Sequence, residues 1–167
     1  MSRSVGTAAL IAVVLATPWS LTVALAPLWP VAFLSVAAVV GELLPIRFPR
    51  AGGETRSLSP SAPFVLALIP VAGLGVAMVV QLLASLIDDV RWHRAPLKSL
   101  FNSGQYALSV AACGAVFAGA TGVPVAVGPM LFSPADVPDL LVAGVAMIAT
   151  NWILVAGVVS LSTGIRL

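Results

Sequence analysis

The sequence contains few of the residues on which most metal and covalent chemistry depends. It has one cysteine, Cys113, and one histidine, His93. A single cysteine excludes an internal disulfide and a thiolate metal cluster. A single histidine with no cysteine or second histidine as partner is a poor metal ligand. We therefore predict that the chain holds no metal site and no cofactor.

Charge is equally scarce. Charged residues make up 8% of the chain and hydrophobic residues 60%, with a mean hydropathy of +1.10. A soluble domain carries about 25% charged residues, so this chain cannot cover itself with a water-compatible surface. The sequence therefore predicts an integral membrane protein with the lipid bilayer as its main partner. The net charge of +2 does not indicate nucleic acid, since the basic residues are better explained by membrane topology.

Long apolar runs supply the candidate membrane spans, each of which needs about 20 apolar residues. The first run, from Val5 to Leu44, is long enough for two helices, with a turn bracketed by Pro27 and Pro30. The start of this run could instead be a signal peptide ending in "ALA" (24–26). Pro27 would then directly follow the cleavage site, which argues against cleavage. We predict spans at about 5–25 and 29–44.

A polar segment rich in Pro and Gly follows at 45–60, in which "IRF" and "TRSL" flank "PRAGGE" and predict a small β-hairpin. The uncharged stretch from Ser61 to Ile87 is too long for one ordinary span. Pro70 and Gly73 near its middle favour a tight helical hairpin with arms at about 61–72 and 74–92. Two further spans are predicted at about 98–119 and 138–161. We thus expect one all-α membrane domain over residues 1–167, with six transmembrane helices and a short hairpin between spans 3 and 4.

The positions of the basic residues test this count of spans. With six spans and a cytoplasmic N-terminus, the inside segments are 1–4, 45–60, 88–98 and 162–167. These segments hold every Lys and Arg of the chain, namely Arg3, Arg47, Arg50, Arg56, Arg91, Arg94, Lys98 and Arg166. A single span over 61–87 would export three of them, against the positive-inside rule. We therefore predict a multi-pass protein of the inner (plasma) membrane with both termini in the cytoplasm.

Three side-chain amides in the last two predicted spans are candidate site residues. Asn102 and Gln105 in "KSLFNSGQYALS" (98–109) are three residues apart and so share one helix face. Asn151 lies near the middle of the sixth span, where it is not expected to face lipid. Such amides either form interhelical hydrogen bonds or line a ligand pocket or signalling contact, and the sequence leaves both interpretations open. If the fifth and sixth spans adjoin, Asn151 could meet the face of Gln105.

One acid and two serines are candidates at the cytoplasmic end. Glu42 lies at the end of the second span, where it opposes the helix dipole, so we expect a cationic partner such as Arg47 or Arg94. A structural ion pair and a proton or cation site are both consistent with this position. Ser59 or Ser61 is expected to cap the start of the third span.

No pattern in the chain predicts catalysis. Asp88 and Asp89 resemble half of a metal site, but beside Arg91, His93 and Arg94 they are more simply interpreted as a solvated, self-neutralising loop. The serines have no histidine or lysine in a credible position and no G-x-S-x-G sequence. We therefore predict that the chain is not an enzyme.

Several of these residues form an ordered pattern: "GELLPIRFP" (41–49), "GGETRSLSPSAPF" (52–64), the helical hairpin, the basic loop and "KSLFNSGQYALS". Over about 40–160 this pattern resembles the N-terminal membrane region of many actinobacterial signalling proteins, which precedes cytoplasmic cyclic-di-GMP domains of the GGDEF, EAL or HD-GYP kinds. The most specific elements of the resemblance are Glu42, Pro45, Ser59, Ser61, Phe101, Asn102 and Gln105, and Asn151 is also similar to the pattern. The resemblance implies a membrane sensor or anchor of unspecified ligand.

This chain reaches Leu167 without such a catalytic domain, so we expect an output domain that was lost or removed, or a partner protein. The leading hypothesis is a sensory, anchoring or interaction module that forms a homo-oligomer or binds a cytoplasmic signalling enzyme. The alternative is a small-solute transport component that resembles a substrate-binding subunit of energy-coupling-factor transporters. A third interpretation is a scaffold without a ligand.

Overall fold

The computed structural model describes residues 28–49, 55–125 and 132–163. The predicted first span, the side chains of Arg47 and Arg56, and both chain termini lie outside the described residues. The helices are α1 (Leu28–Leu43), α2 (Ala62–Ala72), α3 (Leu74–Arg91), α4 (Pro96–Thr121) and α5 (Val137–Thr163), and a short 3₁₀ helix (Pro134–Asp136) precedes α5. These bounds lie within two residues of the five predicted spans from the second to the sixth.

The predicted β-hairpin is confirmed between α1 and α2. Strand β1 (Ile46–Pro49) pairs antiparallel with β2 (Thr55–Leu58), and Ile46 lies opposite Leu58. Apart from this hairpin, the described part of the chain is helical, as the predicted all-α class requires.

A single residue joins α2 to α3. Gly73 has φ +90°, a conformation that side-chain-bearing residues rarely adopt, and its N–H donates to the Ile69 carbonyl at 2.9 Å. The two helices pack against each other on either side of this turn. Gly73 therefore makes the tight helical hairpin that the sequence predicts.

The helices form a layered bundle in which α1 packs on α2 and α3, α3 packs on α4, and α4 packs on α5. The core between them consists of small and branched apolar residues, with Phe117 as its largest fully buried side chain. Small residues allow the close approach of the helices: a Cβ atom at Gly41 would lie 2.9 Å from the backbone nitrogen of Ser61. The end of α1 therefore lies directly against the start of α2.

Only one helix among the described residues, the segment Pro134–Leu161, is both long and apolar enough to cross a membrane by itself. The helices α1 and α2 are shorter apolar helices, and α3 carries Asp88, Asp89 and Arg91 in its last turn. Large apolar side chains on α5 are mostly exposed, including Trp152 and Ile153. Apolar surface of this extent on a helix is typical of contact with lipid or another protein.

Candidate functional site

Two polar clusters lie where α1 and α3 end and α2 and α4 begin. The serine–glutamate cluster consists of Glu42, Ser59 and Ser61. The aspartate–arginine cluster consists of Asp88, Asp89, Arg94, Ser99 and Asn102. The structure therefore places four of the predicted site residues, Glu42, Ser59, Ser61 and Asn102, in these clusters.

In the serine–glutamate cluster, the hydroxyls of Ser59 and Ser61 both lie 2.6 Å from Glu42 Oε2. This distance is typical of a hydroxyl that donates to a charged carboxylate. The Ser59 hydroxyl also lies 3.2 Å from the Gly41 carbonyl and 2.9 Å from Ser61 Oγ. Because a hydroxyl has one proton, these contacts of Ser59 are alternatives, and only one of them is a donated bond at a time.

This geometry corrects the prediction that Ser61 caps α2, and it removes one of the two cationic partners expected for Glu42. Arg94, one of the two expected cationic partners of Glu42, instead pairs with Asp88 and Asp89, and the side chain of the other, Arg47, lies outside the described residues. Ser61 is the N-cap residue of α2, but its side chain makes no capping hydrogen bond. Its hydroxyl reaches Glu42 instead, because the close approach at Gly41 brings the carboxylate within 2.6 Å.

In the aspartate–arginine cluster, Arg94 binds both carboxylates, at 3.0 Å from Asp88 Oδ2 and 2.6 Å from Asp89 Oδ1. Ser99 Oγ donates to Asp89 Oδ2 at 2.6 Å, and Asn102 Nδ2 donates to Asp89 Oδ1 at 3.2 Å. Asp89 therefore joins the end of α3 to the first two turns of α4.

The interpretation of Asp88 and Asp89 as a solvated loop is wrong. Both belong to the last turn of α3, and their exposed fractions are 6% and 2%. The helix continues through them to Arg91 because its partner α4 covers this face. Their expected pairing with a basic residue is present, as two ion pairs with Arg94, whose side chain is one-third exposed.

Asn102 and Gln105 lie on one face of α4 but have different surroundings. Asn102 reaches across to Asp89 on α3. Gln105 is buried, and its Oε1 atom has no hydrogen-bond partner among the described residues. Of the two candidates on this face, Gln105 is therefore the one with an unsatisfied side-chain oxygen among the described residues.

Asn151 lies on α5, and its Oδ1 atom also has no hydrogen-bond partner in the described part of the chain. The helices α4 and α5 do pack together, as the predicted contact between these spans requires. No described hydrogen bond joins Asn151 to Gln105, so the expected meeting of these amides is not found there.

One hydrogen bond joins the helix ends that carry the two clusters. Arg91 at the end of α3 donates from Nη1 to the Leu43 carbonyl at 3.1 Å, at the end of α1. The clusters therefore lie at the same end of the bundle.

Sequence reasoning missed two parts of this region. Ser99 was not expected as a partner of Asp89, because nothing local indicates which hydroxyl a buried carboxylate will bind. Gln81, which is 3% exposed and has an unpartnered Nε2 atom among the described residues, was also missed. Its signal was available, since it is the one amide in the uncharged stretch 61–87.

A cleft of about 540 Å³ opens beside the aspartate–arginine cluster. Apolar residues of α3 and α4 form much of its wall, and Asp89, Arg94 and Ser99 contribute its polar side. Within the described residues, no three Cys, His, Asp or Glu side chains come together as a metal site. The prediction that the chain needs no metal or cofactor stays a prediction.

No protein-family model, curated protein or solved structure matches this chain.

Proposed function

We propose that the chain is a multi-pass inner-membrane protein with six spans and cytoplasmic termini, and that it acts as a sensory, anchoring or interaction module without catalytic activity. The observation that carries this proposal is the polar end of the bundle, where Glu42, Asp88 and Asp89 are each buried and the segment 88–98 supplies three basic residues. Basic residues favour the cytoplasmic side, so a cytoplasmic partner meets this end of the protein.

The helical hairpin supports a position of both its ends on the cytoplasmic side. The start of α2 contacts the end of α1 through Ser61, and the end of α3 contacts it through Arg91. The hairpin therefore enters and leaves at the same side. Its short arm, α2, has 11 residues and measures about 16 Å at 1.5 Å per residue, which is about half of a 30 Å hydrocarbon core.

The longer helices also suit a membrane. By the same measure α3, with 18 residues, is about 27 Å long, and α5, with 27 residues, is about 40 Å long. The exposed apolar side chains of α5 require a nonaqueous neighbour, with Trp152, Ile153 and Val145 exposed by 71%, 70% and 67%. Lipid provides that neighbour along the whole helix.

A sensory or interaction role requires that the helices move together at the cytoplasmic end. Asp89 joins α3 to α4 through Ser99 and Asn102, and Glu42 joins α1 to the start of α2 through Ser61. A ligand or partner that shifts one helix end would therefore change the hydrogen bonds of the next. The resemblance to input regions of cyclic-di-GMP proteins supports the same role.

The topology is tested with single cysteines introduced in a Cys113→Ala background. Ala95→Cys in the basic loop and Ala135→Cys before α5 are both at exposed alanines. A membrane-impermeant maleimide applied to intact cells should label the cysteine at 135, and it should label the one at 95 only after permeabilisation. Labelling at 95 in intact cells would contradict the six-span topology.

The sensory role is tested by fusing a cyclic-di-GMP cyclase after Leu167. Asn102→Ala removes the contact between α4 and Asp89 and should change cyclase output several-fold while the fusion remains folded. Thr150→Ala is the control on α5, outside both polar clusters, and should leave the output unchanged. If Asn102→Ala also gives the same output as the wild type, the sensory role of the Asn102 face is excluded.

The transport component remains a second candidate, favoured by the unpartnered amide atoms of Gln81, Gln105 and Asn151 among the described residues. A solute with several hydrogen-bonding groups would satisfy such atoms. This candidate predicts 1:1 solute binding in detergent and copurification with an ATPase module. Failure of every solute tested to raise the melting temperature would count against transport.

A further inference from the structure

The cleft of about 540 Å³ lies between the end of α3 and the start of α4. Leu86 and Val90 line it from α3, and Leu100 and Ser103 line it from α4. The residues of each pair are four or three positions apart, so each wall is one helix face. Arg94, in the turn between the helices, lines the same cleft. The cleft is therefore built mainly by two packed helices.

The helices α3 and α4 run antiparallel, which gives the cleft a defined direction. Asp89 near the end of α3 accepts a hydrogen bond from Asn102 near the start of α4. At their other ends, a Cβ atom at Gly114 would lie 2.7 Å from the side chain of Leu74, the first residue of α3. The end of α3 and the start of α4 therefore share one level of the bundle.

From this level the cleft extends toward the middle of the bundle. Leu86 lies five residues before Arg91, the last residue of α3. Ser103 lies seven residues after Pro96, the first residue of α4. At 1.5 Å per residue, these two lining residues are about 8 Å and 10 Å from the helix ends. A ligand that fills the cleft therefore contacts both the polar end and a deeper level of the helices.

The walls of the cleft are apolar and accessible. Leu86, Val90 and Leu100 are exposed side chains. Ser103 is half-buried and carries no charge. Exposed apolar surface around a cleft is typical of a binding site for an apolar group. The deeper part of the lining therefore suits a hydrocarbon chain.

The basic side chains at this end are more accessible than the acids. The described acids there are buried, namely Glu42, Asp88 and Asp89. The described basic side chains are those of Arg91 and Lys98, which are exposed, and of Arg94, which is one-third exposed. In the described part of this end, the charges that meet an approaching ligand are therefore mainly positive.

Arg94 can bind a further anion without leaving the aspartates. Its two ion pairs use one Nη atom each, to Asp88 and to Asp89. A guanidinium group has five N–H donors, so others remain. Asp89, the acid in the lining of the cleft, already accepts from Arg94, Ser99 and Asn102. Its carboxylate is thus occupied within the protein.

We propose that this cleft binds one anionic phospholipid, with the phosphate at Arg94 and the start of an acyl chain against Leu86, Val90 and Leu100. Arginine binds phosphate oxygens with several N–H groups, and basic pockets between membrane helices select anionic headgroups. The site rests on the proposed membrane location of the chain, but it does not depend on a sensory role.

The depth of the cleft favours a lipid over an acidic peptide or a free phosphate ion. Either of these would match the positive charge, but neither would cover an apolar wall that continues into the bundle. Trp92, directly after α3, is exposed at this end, and tryptophan favours the headgroup level of a bilayer. Phosphate and acyl chain then meet the parts of the cleft that match them.

The test uses the full chain, purified in detergent. Binding is measured by native mass spectrometry and by the melting temperature, with dioleoyl phosphatidylglycerol and dioleoyl phosphatidylcholine, which have the same acyl chains. Glycerol phosphate and inorganic phosphate provide the anion without a chain. We expect one phosphatidylglycerol per protein chain, bound at least tenfold more tightly than phosphatidylcholine, and a saturable rise in melting temperature. Neither of the free anions should raise the melting temperature at the same concentration.

Two variants locate the lipid in the cleft. Ser103→Phe fills the deep end and should weaken the Kd for phosphatidylglycerol at least tenfold. Its control is Ala120→Phe, the same bulky residue at an exposed position near the other end of α4, which should bind as the wild type does. Arg94→Met should also weaken the Kd at least tenfold. Arg91→Met removes an equal charge outside the cleft lining and should change the Kd less than twofold.

If Arg94→Met does not fold, Ser103→Phe decides the test. An equal Kd for the two lipids would overturn the proposal, and so would an unchanged Kd in Ser103→Phe. Stabilisation by glycerol phosphate as strong as that by the lipid would show a site for free anions and would also overturn it. The cysteine-labelling experiment tests the membrane topology separately, so failure of the lipid site and failure of the topology are distinguishable.

Discussion

Replacement of Gly41 by alanine tests how closely α1 meets the start of α2. The new Cβ atom would lie 2.9 Å from Ser61 N, 3.0 Å from the Pro60 carbonyl carbon and 3.1 Å from Ser61 Cα. All three are backbone atoms, which cannot rotate away as a side chain does. The two segments would therefore have to separate, and the 2.6 Å hydrogen bonds from Ser59 and Ser61 to Glu42 would lengthen with them.

The size of the effect follows from three contributions. Alanine in place of glycine inside a helix stabilises it by about 1 kcal/mol. Overpacking a tight contact costs about 1–3 kcal/mol. Loss of one hydrogen bond to the Glu42 carboxylate costs a further 1.5–3 kcal/mol or so. The two losses minus the helix gain give a net loss of unfolding free energy of about 1.5–5 kcal/mol in Gly41→Ala.

The assay is reversible unfolding in mixed micelles, followed by tryptophan fluorescence. Gly157→Ala on α5 is the matched control, because nothing lies within 4 Å of a Cβ atom at that position. Gly157→Ala gains the helix propensity of alanine without a steric clash, so it should be as stable as the wild type or slightly more stable. Gly41→Ala should also lower the melting temperature relative to Gly157→Ala.

One result would refute this reasoning. If Gly41→Ala unfolds with the same free energy as Gly157→Ala, the backbone of α1 does not approach Ser61 as closely as described. The serine–glutamate cluster would then have to be reconsidered, since its short hydrogen bonds depend on that approach.

Three further substitutions have specific expected outcomes in the same unfolding assay. Arg94→Met leaves two buried carboxylates without a counter-ion and should lower the free energy of unfolding by about 2–4 kcal/mol, less than for a fully buried pair because this arginine is one-third exposed. The control Arg91→Met, at an exposed arginine, should lower it by less than about 1 kcal/mol. Equal losses in the two variants would contradict the ion-pair geometry. Ser61→Ala should cost about 1.5–3 kcal/mol through loss of a hydroxyl bond to a carboxylate, and a neutral result would show that this bond is not formed. Gly114→Ala places a Cβ atom 2.7 Å from Cδ1 of the flexible Leu74 side chain and should lower the free energy of unfolding by about 1 kcal/mol. This loss should disappear in a Leu74→Ala background, where the clashing atom is absent. If the loss persists there, the contact between Gly114 and Leu74 is excluded.

The amino-acid sequence by itself determined the helix bounds and the two hairpins. The five described helices agree with the predicted spans. Helix bounds depend on neighbouring residues in the chain, because apolar runs form the helices and Pro and Gly residues interrupt them. Gly73 could be predicted as a turn because only a residue without a side chain adopts its φ of +90° readily. The small β-hairpin followed in the same way from "IRF" and "TRSL".

The candidate residues were also identifiable from the sequence, because amides and acids in apolar surroundings need partners. Which partner each one finds was decided only by the tertiary structure. Glu42 binds hydroxyls 17 and 19 residues away, and Asn102 binds a carboxylate 13 residues away. Such pairings depend on which helix ends adjoin and how closely their backbones approach. No local pattern of residues carries that information.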